Sequence, residues 1–186
     1  MHFIIIFGPP AVGKMAVGKE LANITGFKLF HNHMSIELVL TLFDYGTPEF
    51  KQLNSSIRRL IFETVSSSNL SGFIFTFVWA FNIPEDKQYV EFVSEIFRKN
   101  NWEVYFVELQ CSLQERLRRN KTEERLREKP SKRSIKESEQ RLLECEKKYV
   151  LNTREDFYFP EKYIKIDNTS LSAIEVAERI KSYFNF

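Results

Sequence analysis

The sequence predicts an α/β fold in which a parallel β-sheet is covered by helices on both faces. Five short apolar or aromatic runs alternate with stretches of helical periodicity, and this alternation is typical of βαβ crossovers. The chain has 186 residues, of which 43% are hydrophobic and 28% are charged, values that suit one globular domain. We therefore expect a single domain over residues 1–186.

The predicted strands are apolar along most of their length, which is typical of parallel strands buried on both faces. They are Phe3–Phe7, Phe27–Phe30, Phe73–Val78, Val104–Leu109 and Tyr163–Ile166. Most of the 18 phenylalanines fall on these strands or on apolar helix faces. We interpret them as core residues.

Helix signals lie between the strands. The first predicted helix runs from Gly13 to about Thr25 and stops before Gly26, because glycine is common just after a helix end. Further helices begin at Thr47-Pro48 and Ile83-Pro84, where proline suits the first turn. The remaining predicted helices are Leu113–Arg119, Ser134–Tyr149 and one that begins near Ser172. The basic segment Arg118–Arg133 has few apolar residues, so we expect an insertion outside the sheet.

Composition argues against several classes of partner. No apolar run approaches the roughly 20 residues of a membrane span, and no basic leader opens the chain, so we expect a cytosolic protein with no membrane partner. Cys111 and Cys145 lie in unlike contexts, which argues against a disulfide framework. From Glu115 to Lys148 there are 13 Lys or Arg and 8 Glu. These interleaved glutamates, with few aromatics among them, argue against a nucleic-acid partner.

The tetrapeptide AVGK occurs twice, at Ala11–Lys14 and Ala16–Lys19, and the pattern G-x-x-x-x-G-K fits both copies. A phosphate loop needs a strand before it and a helix start at its end, because free amides and the helix dipole hold the anion. Only the first copy has this context. The predicted loop residues are Gly8, Pro9, Pro10, Ala11, Val12, Gly13 and Lys14, with Met15 and Ala16 beginning the helix. The alternative is a purely structural Gly-Pro turn.

The residue after the loop lysine does not fit the usual metal site. A Ser or Thr there normally ligates Mg²⁺, but Met15 and Ala16 have no side-chain oxygen, and no aspartate ends the strand Phe73–Val78. We expect the loop to bind the phosphates of a nucleotide with Mg²⁺ beside them, and we predict no set of protein side chains that holds the metal alone. Either water or another residue fills the coordination position, or the site no longer catalyses efficiently.

The chain resembles the small-molecule P-loop kinases, with shikimate kinase and gluconate kinase as the nearest comparison. The phosphate loop, the segment VGKELANITGFKLF, the basic segment and the final YIKIDNTSLSAIEVAERI carry this resemblance. It implies the three-layer fold of the nucleoside monophosphate kinase type, with a five-stranded sheet in the order 2-3-1-4-5. It also implies a helical lid over about residues 118–134, acceptor-binding helices over about residues 35–68, and ATP as the phosphoryl donor.

The same resemblance assigns an acceptor side to the site. Shikimate kinases have Asp-x-Asp after the second strand, where this chain has His31-Asn32-His33. In extended backbone His31 and His33 share one face, and a neutral imidazole accepts a proton near neutrality, so we predict His33 as a base. Alternatively, both histidines only pack at a strand end. Arg58 or Arg59 would bind an acidic acceptor, although Arg59 also has the spacing for a surface pair with Glu63.

The resemblance further assigns residues to the nucleotide. Arg119 would stack on the base, Arg125, Arg127 or Arg133 would cover the phosphates, and Asn168 and Thr169 would contact the adenine edge. The alternatives are a solvated basic face and a plain strand-end turn. The sequence thus favours an ATP-dependent kinase acting on a hydroxyl of a small molecule. The competing hypotheses are a nucleotide or nucleoside kinase and a nucleotide-binding pseudokinase without turnover.

Overall fold

The computed structural model describes residues 1–128, 130–132, 134–154 and 157–186. All five strands pair in parallel within one sheet, in the order β2-β3-β1-β4-β5. The strands are β1 (His2–Phe7), β2 (Lys28–His31), β3 (Gly72–Phe77), β4 (Glu103–Gln110) and β5 (Tyr163–Asp167). The predicted fold class and strand order are therefore confirmed.

Eight α-helices and two short 3₁₀ helices connect or flank these strands in the described ranges. The α-helices are α1 (Lys14–Thr25), α2 (His33–Val39), α3 (Pro48–Ser66), α4 (Pro84–Lys99), α5 (Leu113–Arg119), α6 (Glu123–Glu128), α7 (Ile135–Lys148) and α8 (Ala173–Phe184). The 3₁₀ helices are Pro130–Lys132 and Pro160–Lys162. The basic insertion thus contains α6 and a 3₁₀ turn, and it adds no strand to the sheet within the part of the chain that is described.

Local signals explain where several helices begin and end. Gly26 closes α1 in the left-handed conformation at φ 76°, and its N–H donates to the carbonyl of Ala22. Thr47 caps α3 by accepting the N–H of Phe50 at 3.2 Å. Ser172 and Glu175 form a reciprocal capping box at the start of α8. These ends are therefore determined by a few neighbouring residues.

The sheet separates two buried apolar layers, because successive side chains of a strand point to opposite faces. One layer is mainly aromatic, and its Phe3 and Phe97 rings stack with centroids 3.8 Å apart. The other layer is mainly aliphatic and packs Ile4 and Ile6 against α1 and α8. The expected role of the phenylalanines in the core is confirmed. No described helix has the length and apolar character needed to cross a membrane.

Candidate active site

The segment after β1 has the backbone that an anion-binding loop requires. Gly8, Ala11 and Gly13 have φ values of 139°, 62° and 105°, in the region that favours glycine. A Cβ on Gly8 would lie 2.3 Å from the carbonyl oxygen of Leu109 on the neighbouring strand β4. Only glycine therefore fits where the chain leaves the sheet and turns into the loop.

The loop leads directly into the amino-terminal end of α1, with Lys14 as its first residue. Among the described residues, no side chain caps this end and no acidic residue occupies its first turn. Lys14 curls back over the loop, and its Nζ donates to the carbonyl oxygens of Gly8 at 2.6 Å and Pro9 at 2.7 Å. The amides of the first helical turn, the positive end of the helix dipole and an ammonium group thus lie close together, which suits a phosphate.

The second AVGK lies inside α1, so the prediction that it is helical is confirmed. Gly18 is buried against β2, and a Cβ there would lie 2.9 Å from Cδ1 of Leu29. The amides of Val17, Gly18 and Lys19 are within the hydrogen-bonded part of the helix, where the N–H of Val17 already donates to the carbonyl oxygen of Gly13 at 3.0 Å. Gly18 therefore serves helix–sheet packing, whereas Gly13 serves the turn.

Two of the residues assigned to the nucleotide are bonded to the loop itself. The carbonyl oxygen of Val12 accepts from Nη1 of Arg119 at 3.0 Å and from Nδ2 of Asn168 at 2.8 Å. Nη2 of Arg119 also donates to the carbonyl oxygens of Asn168 at 2.8 Å and Thr169 at 3.3 Å. Arg119 therefore joins α5 to both the loop and the turn after β5.

Glu115 fixes the direction of Arg119 from one turn earlier in α5. Its Oε1 accepts from Nε of Arg119 at 2.8 Å, and Arg118 donates to both of its oxygens at 2.7 Å. The hydrogen bond from Arg118, and then that from Arg119, outweigh burial and lower the pKa of Glu115 to about 2. Glu115 is thus ionised near neutrality and holds the Arg119 guanidinium beside the loop.

The carboxyl ends of the strands open into a cleft of about 1370 Å³. Its lining combines the loop after β1, the turn after β2, helix α3 and residues from α5 and α7. Single ligand pockets usually measure about 300–1000 Å³. The cleft is therefore large enough for two substrates side by side, with the loop at one part of its wall.

The prediction of extended backbone through His31-Asn32-His33 is wrong. Strand β2 ends at His31, Asn32 has helical torsions of φ −44° and ψ −37°, and His33 is the first residue of α2. The N–H of Asn32 donates to Oγ1 of Thr76 on the neighbouring strand at 3.1 Å, which bends the chain. Both histidines nevertheless line the cleft, although they do so from different elements.

The two arginines of α3 have different surroundings. Arg58 is buried and lines the cleft; its Nε donates to Oγ of Ser35 at 2.9 Å, and its Nη2 donates to the carbonyl oxygen and Oδ1 of Asn32. Arg59 is exposed and bonds Oε1 of Glu63 at 2.7 Å. Because one step along a helix turns a side chain by about 100°, Arg59 lies outside the cleft. The expectation that Arg59 binds an acceptor is therefore corrected.

Helix α2 carries a hydrogen-bonded group that the sequence analysis missed. Nδ1 of His33 lies 2.9 Å from Oε1 of Glu37, and Ser131 bonds the same carboxylate through its hydroxyl at 2.5 Å and its N–H at 3.1 Å. Burial raises the pKa of Glu37, but the hydrogen bonds from His33 and Ser131 outweigh it, so the net pKa is lowered. The spacing of His33 and Glu37 on one helix was visible in the sequence, whereas Ser131 was not.

Asp86 is a second cleft residue that the sequence analysis missed. Its Oδ2 accepts the N–H of Ala80 at 2.8 Å, and burial is the main cause that raises the pKa of its carboxyl group. It lies in the first turn of α4 and lines the cleft because the turn after β3 brings that helix end there. An acidic residue in a first helical turn also looks like ordinary dipole compensation, so nothing in the sequence distinguished Asp86 from such a residue.

Of the three predicted lid arginines, only Arg127 has a described side chain. Arg127 is exposed on α6, the side chain of Arg125 lies outside the described parts, and Arg133 lies outside the described residues altogether. Their predicted contacts with phosphates stay predictions. The described residues contain no group of three or more His, Cys, Asp or Glu that could hold a metal ion.

No protein-family model and no curated protein matches the chain. Among solved structures, it is similar to a sugar kinase from Janibacter sp. at 15% identity and a TM-score of 0.59, covering 100% of this chain and 95% of that one. It is also similar to a gluconokinase from Sinorhizobium meliloti at 13% identity and a TM-score of 0.56, covering 98% of this chain and 93% of that one. A shikimate kinase from Acinetobacter baumannii in complex with shikimate is 14% identical with a TM-score of 0.56, and the match covers 100% of this chain and 93% of that one. The chain thus has the fold of the P-loop small-molecule kinases.

Proposed function

We propose that this protein is a phosphotransferase that transfers the terminal phosphoryl group of ATP to a hydroxyl group of a small molecule. The observation that carries the proposal is that the loop held by Lys14 opens into the same cleft as His33 and Arg58. In the reaction, the bond between the terminal phosphorus and its bridging oxygen breaks and a bond to the acceptor oxygen forms. ADP leaves, and the hydroxyl proton passes to a base.

The nucleotide would occupy the part of the cleft formed by the loop and by Arg119. Amides at the start of α1 would hold the phosphates, and Lys14 would exchange its two loop carbonyls for phosphate oxygens. Arg119 and Asn168 would position the loop and the base, with Thr169 nearby. Arg125, Arg127 and Arg133 would cover the phosphates and neutralise developing charge. Phosphoryl transfer depends mainly on such positioning and charge stabilisation.

The acceptor would lie between α2 and α3. His33 is the proposed base for its hydroxyl, because an imidazole with an ordinary pKa of about 6.5 accepts protons near neutrality. His31 and the cleft-facing edge of Arg58 would bind other polar groups of the acceptor. The guanidinium of Arg58 already holds Ser35 and Asn32, so it would also keep this wall of the cleft in shape.

Mg²⁺ fits this cleft only with help from the substrate. Met15 lines the wall where a hydroxyl ligand would be expected, and the cleft carboxylates among the described residues are Asp44, Asp86 and Glu144. Mg²⁺ commonly keeps several waters and binds through one or two carboxylates together with substrate phosphates. When bound, it would neutralise phosphate charge. Asp86 is the cleft carboxylate we expect to hold its water shell.

The first test uses the two lysines of the repeated tetrapeptide as a matched pair. Lys14→Ala should abolish measurable ATP binding in titration calorimetry, because a charge-assisted phosphate contact is lost, whereas Lys19→Ala should leave binding nearly intact. ADP release is then measured with Mg-ATP and panels of sugars, nucleosides, hydroxy acids and antibiotics. Release that depends on one acceptor and disappears in Lys14→Ala supports the proposal. The opposite ranking of the lysines, or no acceptor-dependent release, contradicts it.

A second candidate function, a nucleotide-binding pseudokinase, is favoured by Met15. That side chain is buried and supplies no oxygen at the metal position. For a pseudokinase, ATP affinity should be the same with Mg²⁺ and with EDTA, without turnover, and Met15→Ser should create turnover. A kinase should instead bind ATP more tightly with Mg²⁺. A nucleotide or nucleoside kinase differs only in its acceptor, and a bisubstrate dinucleotide that binds far more tightly than ATP identifies it.

A further inference from the structure

Helix α2 and the 3₁₀ turn Pro130–Lys132 meet at a single carboxylate. Oε1 of Glu37 lies 2.9 Å from Nδ1 of His33 and 2.5 Å from Oγ of Ser131, while Oε2 accepts the N–H of Ser131 at 3.1 Å. Both oxygens of Glu37 are therefore engaged. One partner is the proposed base, and the other belongs to the basic insertion 94 residues away in sequence.

We propose that Glu37 is a positioning residue, which holds His33 with its proton on Nδ1 and fastens the 3₁₀ turn Pro130–Lys132, called the closing segment below, over the acceptor side of the cleft. The proposal rests on the function proposed above, because it assigns His33 the role of base. It adds that one carboxylate serves both the base and the closing segment. Ser131 would then bond Glu37 at the same time as Glu37 orients the His33 ring.

The position of the histidine proton follows from hydrogen-bond chemistry. An ionised carboxylate only accepts hydrogen bonds, and the lowered pKa keeps Glu37 ionised near neutrality. A nitrogen 2.9 Å from that carboxylate must therefore carry the hydrogen. In a neutral imidazole the lone pair is then on Nε2, and the ring of His33 lines the cleft. The pair thus directs the basic nitrogen away from Glu37.

The contrast with a second i,i+4 pair argues against a merely solvated contact. Arg59 and Glu63 have the same spacing on α3, but their side chains are 64% and 46% exposed. The side chains of His33 and Glu37 are only 15% and 21% exposed. Exposed pairs contribute little because water and salt screen them, whereas the shielded carboxylate also receives two bonds from Ser131.

Ser131 makes the contact between the turn Pro130–Lys132 and helix α2. It also lines the cleft, as do His33 and Arg58. A hydroxyl and an amide from one residue both point at Glu37, so the turn is seated with a defined orientation. Loss of the carboxylate would leave two polar groups of Ser131 and one nitrogen of His33 to find water instead.

The test measures the two consequences separately and without nucleotide or acceptor. Nitrogen-15 NMR of labelled histidine, at a pH where His33 is neutral, should show the Nδ1–H tautomer in the wild type. His33→Ala assigns the signal among the three histidines. Glu37→Ala should move His33 toward the Nε2–H tautomer and speed amide exchange at Ser131 about tenfold or more. Glu63→Ala is the matched control and should change neither.

Two further variants keep the proposal testable if Glu37→Ala does not fold. Ser131→Ala should raise exchange in the closing segment while His33 keeps its proton on Nδ1. Glu37→Gln should keep an acceptor for His33 but weaken the attachment of Ser131. An Nε2–H tautomer in the wild type, or unchanged exchange in every Glu37 variant, overturns the proposal.

Activity separates this proposal from the proposed function. If acceptor-dependent turnover is found, Glu37→Ala should lower kcat more than it raises KM and should shift the pH profile of kcat, which a purely structural role would not do. Turnover without that shift overturns the role of Glu37 and leaves the kinase intact. Absence of turnover in the wild type defeats the kinase, even where the tautomer and the exchange rates agree with the geometry.

Discussion

The two copies of AVGK place opposite demands on their glycines, and alanine substitution at each position tests the assignment of the loop. Gly13 precedes α1 at φ 105°, whereas Gly18 lies inside the helix. A left-handed conformation costs an L-residue about 1–2 kcal/mol, and 105° lies beyond the centre of that region. A Cβ on Gly13 would also lie 3.3 Å from Nδ2 of Asn168.

The expected loss for Gly13→Ala is therefore about 2–3 kcal/mol in the free energy of unfolding. The torsion accounts for most of it, and the rest comes from disturbing the bond between Asn168 and Val12, worth about 1 kcal/mol. For Gly18→Ala, alanine gains about 1 kcal/mol of helix propensity. This gain offsets the contact with Leu29, whose terminal methyl group can move. The net change should stay within about 1 kcal/mol.

Urea unfolding gives the two free energies, and titration calorimetry with ATP gives the binding. Gly13→Ala should weaken ATP binding at least about tenfold, since it displaces the amides that we propose hold phosphate, and Gly18→Ala should leave it unchanged. Equal losses of stability and binding in the two variants would refute the assignment of the loop to the first copy.

Two other substitutions have clear expectations. Arg58→Lys should lower the free energy of unfolding by about 2 kcal/mol, because one ammonium does not replace a planar guanidinium bonded to both Ser35 and Asn32. In the same urea assay, Arg59→Lys should change the free energy of unfolding by no more than about 0.5 kcal/mol. Glu115→Gln removes a carboxyl whose folded-state pKa is about 2, below its ordinary 4.5; the stabilisation from that carboxylate is present above pH 4.5 and is lost as the pH falls toward 2. Unfolding curves of wild type and Glu115→Gln should therefore converge over this range, and a difference that stays constant with pH would contradict the assigned cause.

The strands and the turn from β1 into α1 could be predicted because their determinants are close together in sequence. Apolar runs mark the strands, and the loop needs only a preceding strand, two glycines and a helix start. The choice between the two AVGK copies followed from the prolines before the second one. Gly18 then proved to be a packing residue, as its helical position implied.

The rest of the site depends on contacts between distant segments. Asn32 leaves the extended conformation because Thr76 of another strand takes its N–H, and no local signal encodes this. The sequence does not show which of Arg58 and Arg59 faces the cleft, because this depends on how α3 is rotated about its axis against the sheet. Glu37 receives two hydrogen bonds from Ser131, 94 residues away. Asp86 lines the cleft because the turn after β3 carries it there.

The carbonyl oxygen of Val12 receives its two hydrogen bonds from residues that lie 107 and 156 positions later in the chain. A growing polypeptide therefore completes the surroundings of its earliest motif only when its last strand has emerged and paired. We expect nascent chains that stop before β5 to hold ATP poorly, even though every residue of the loop is already made. Nucleotide affinity would then report that β5 has been synthesised and has paired with β4.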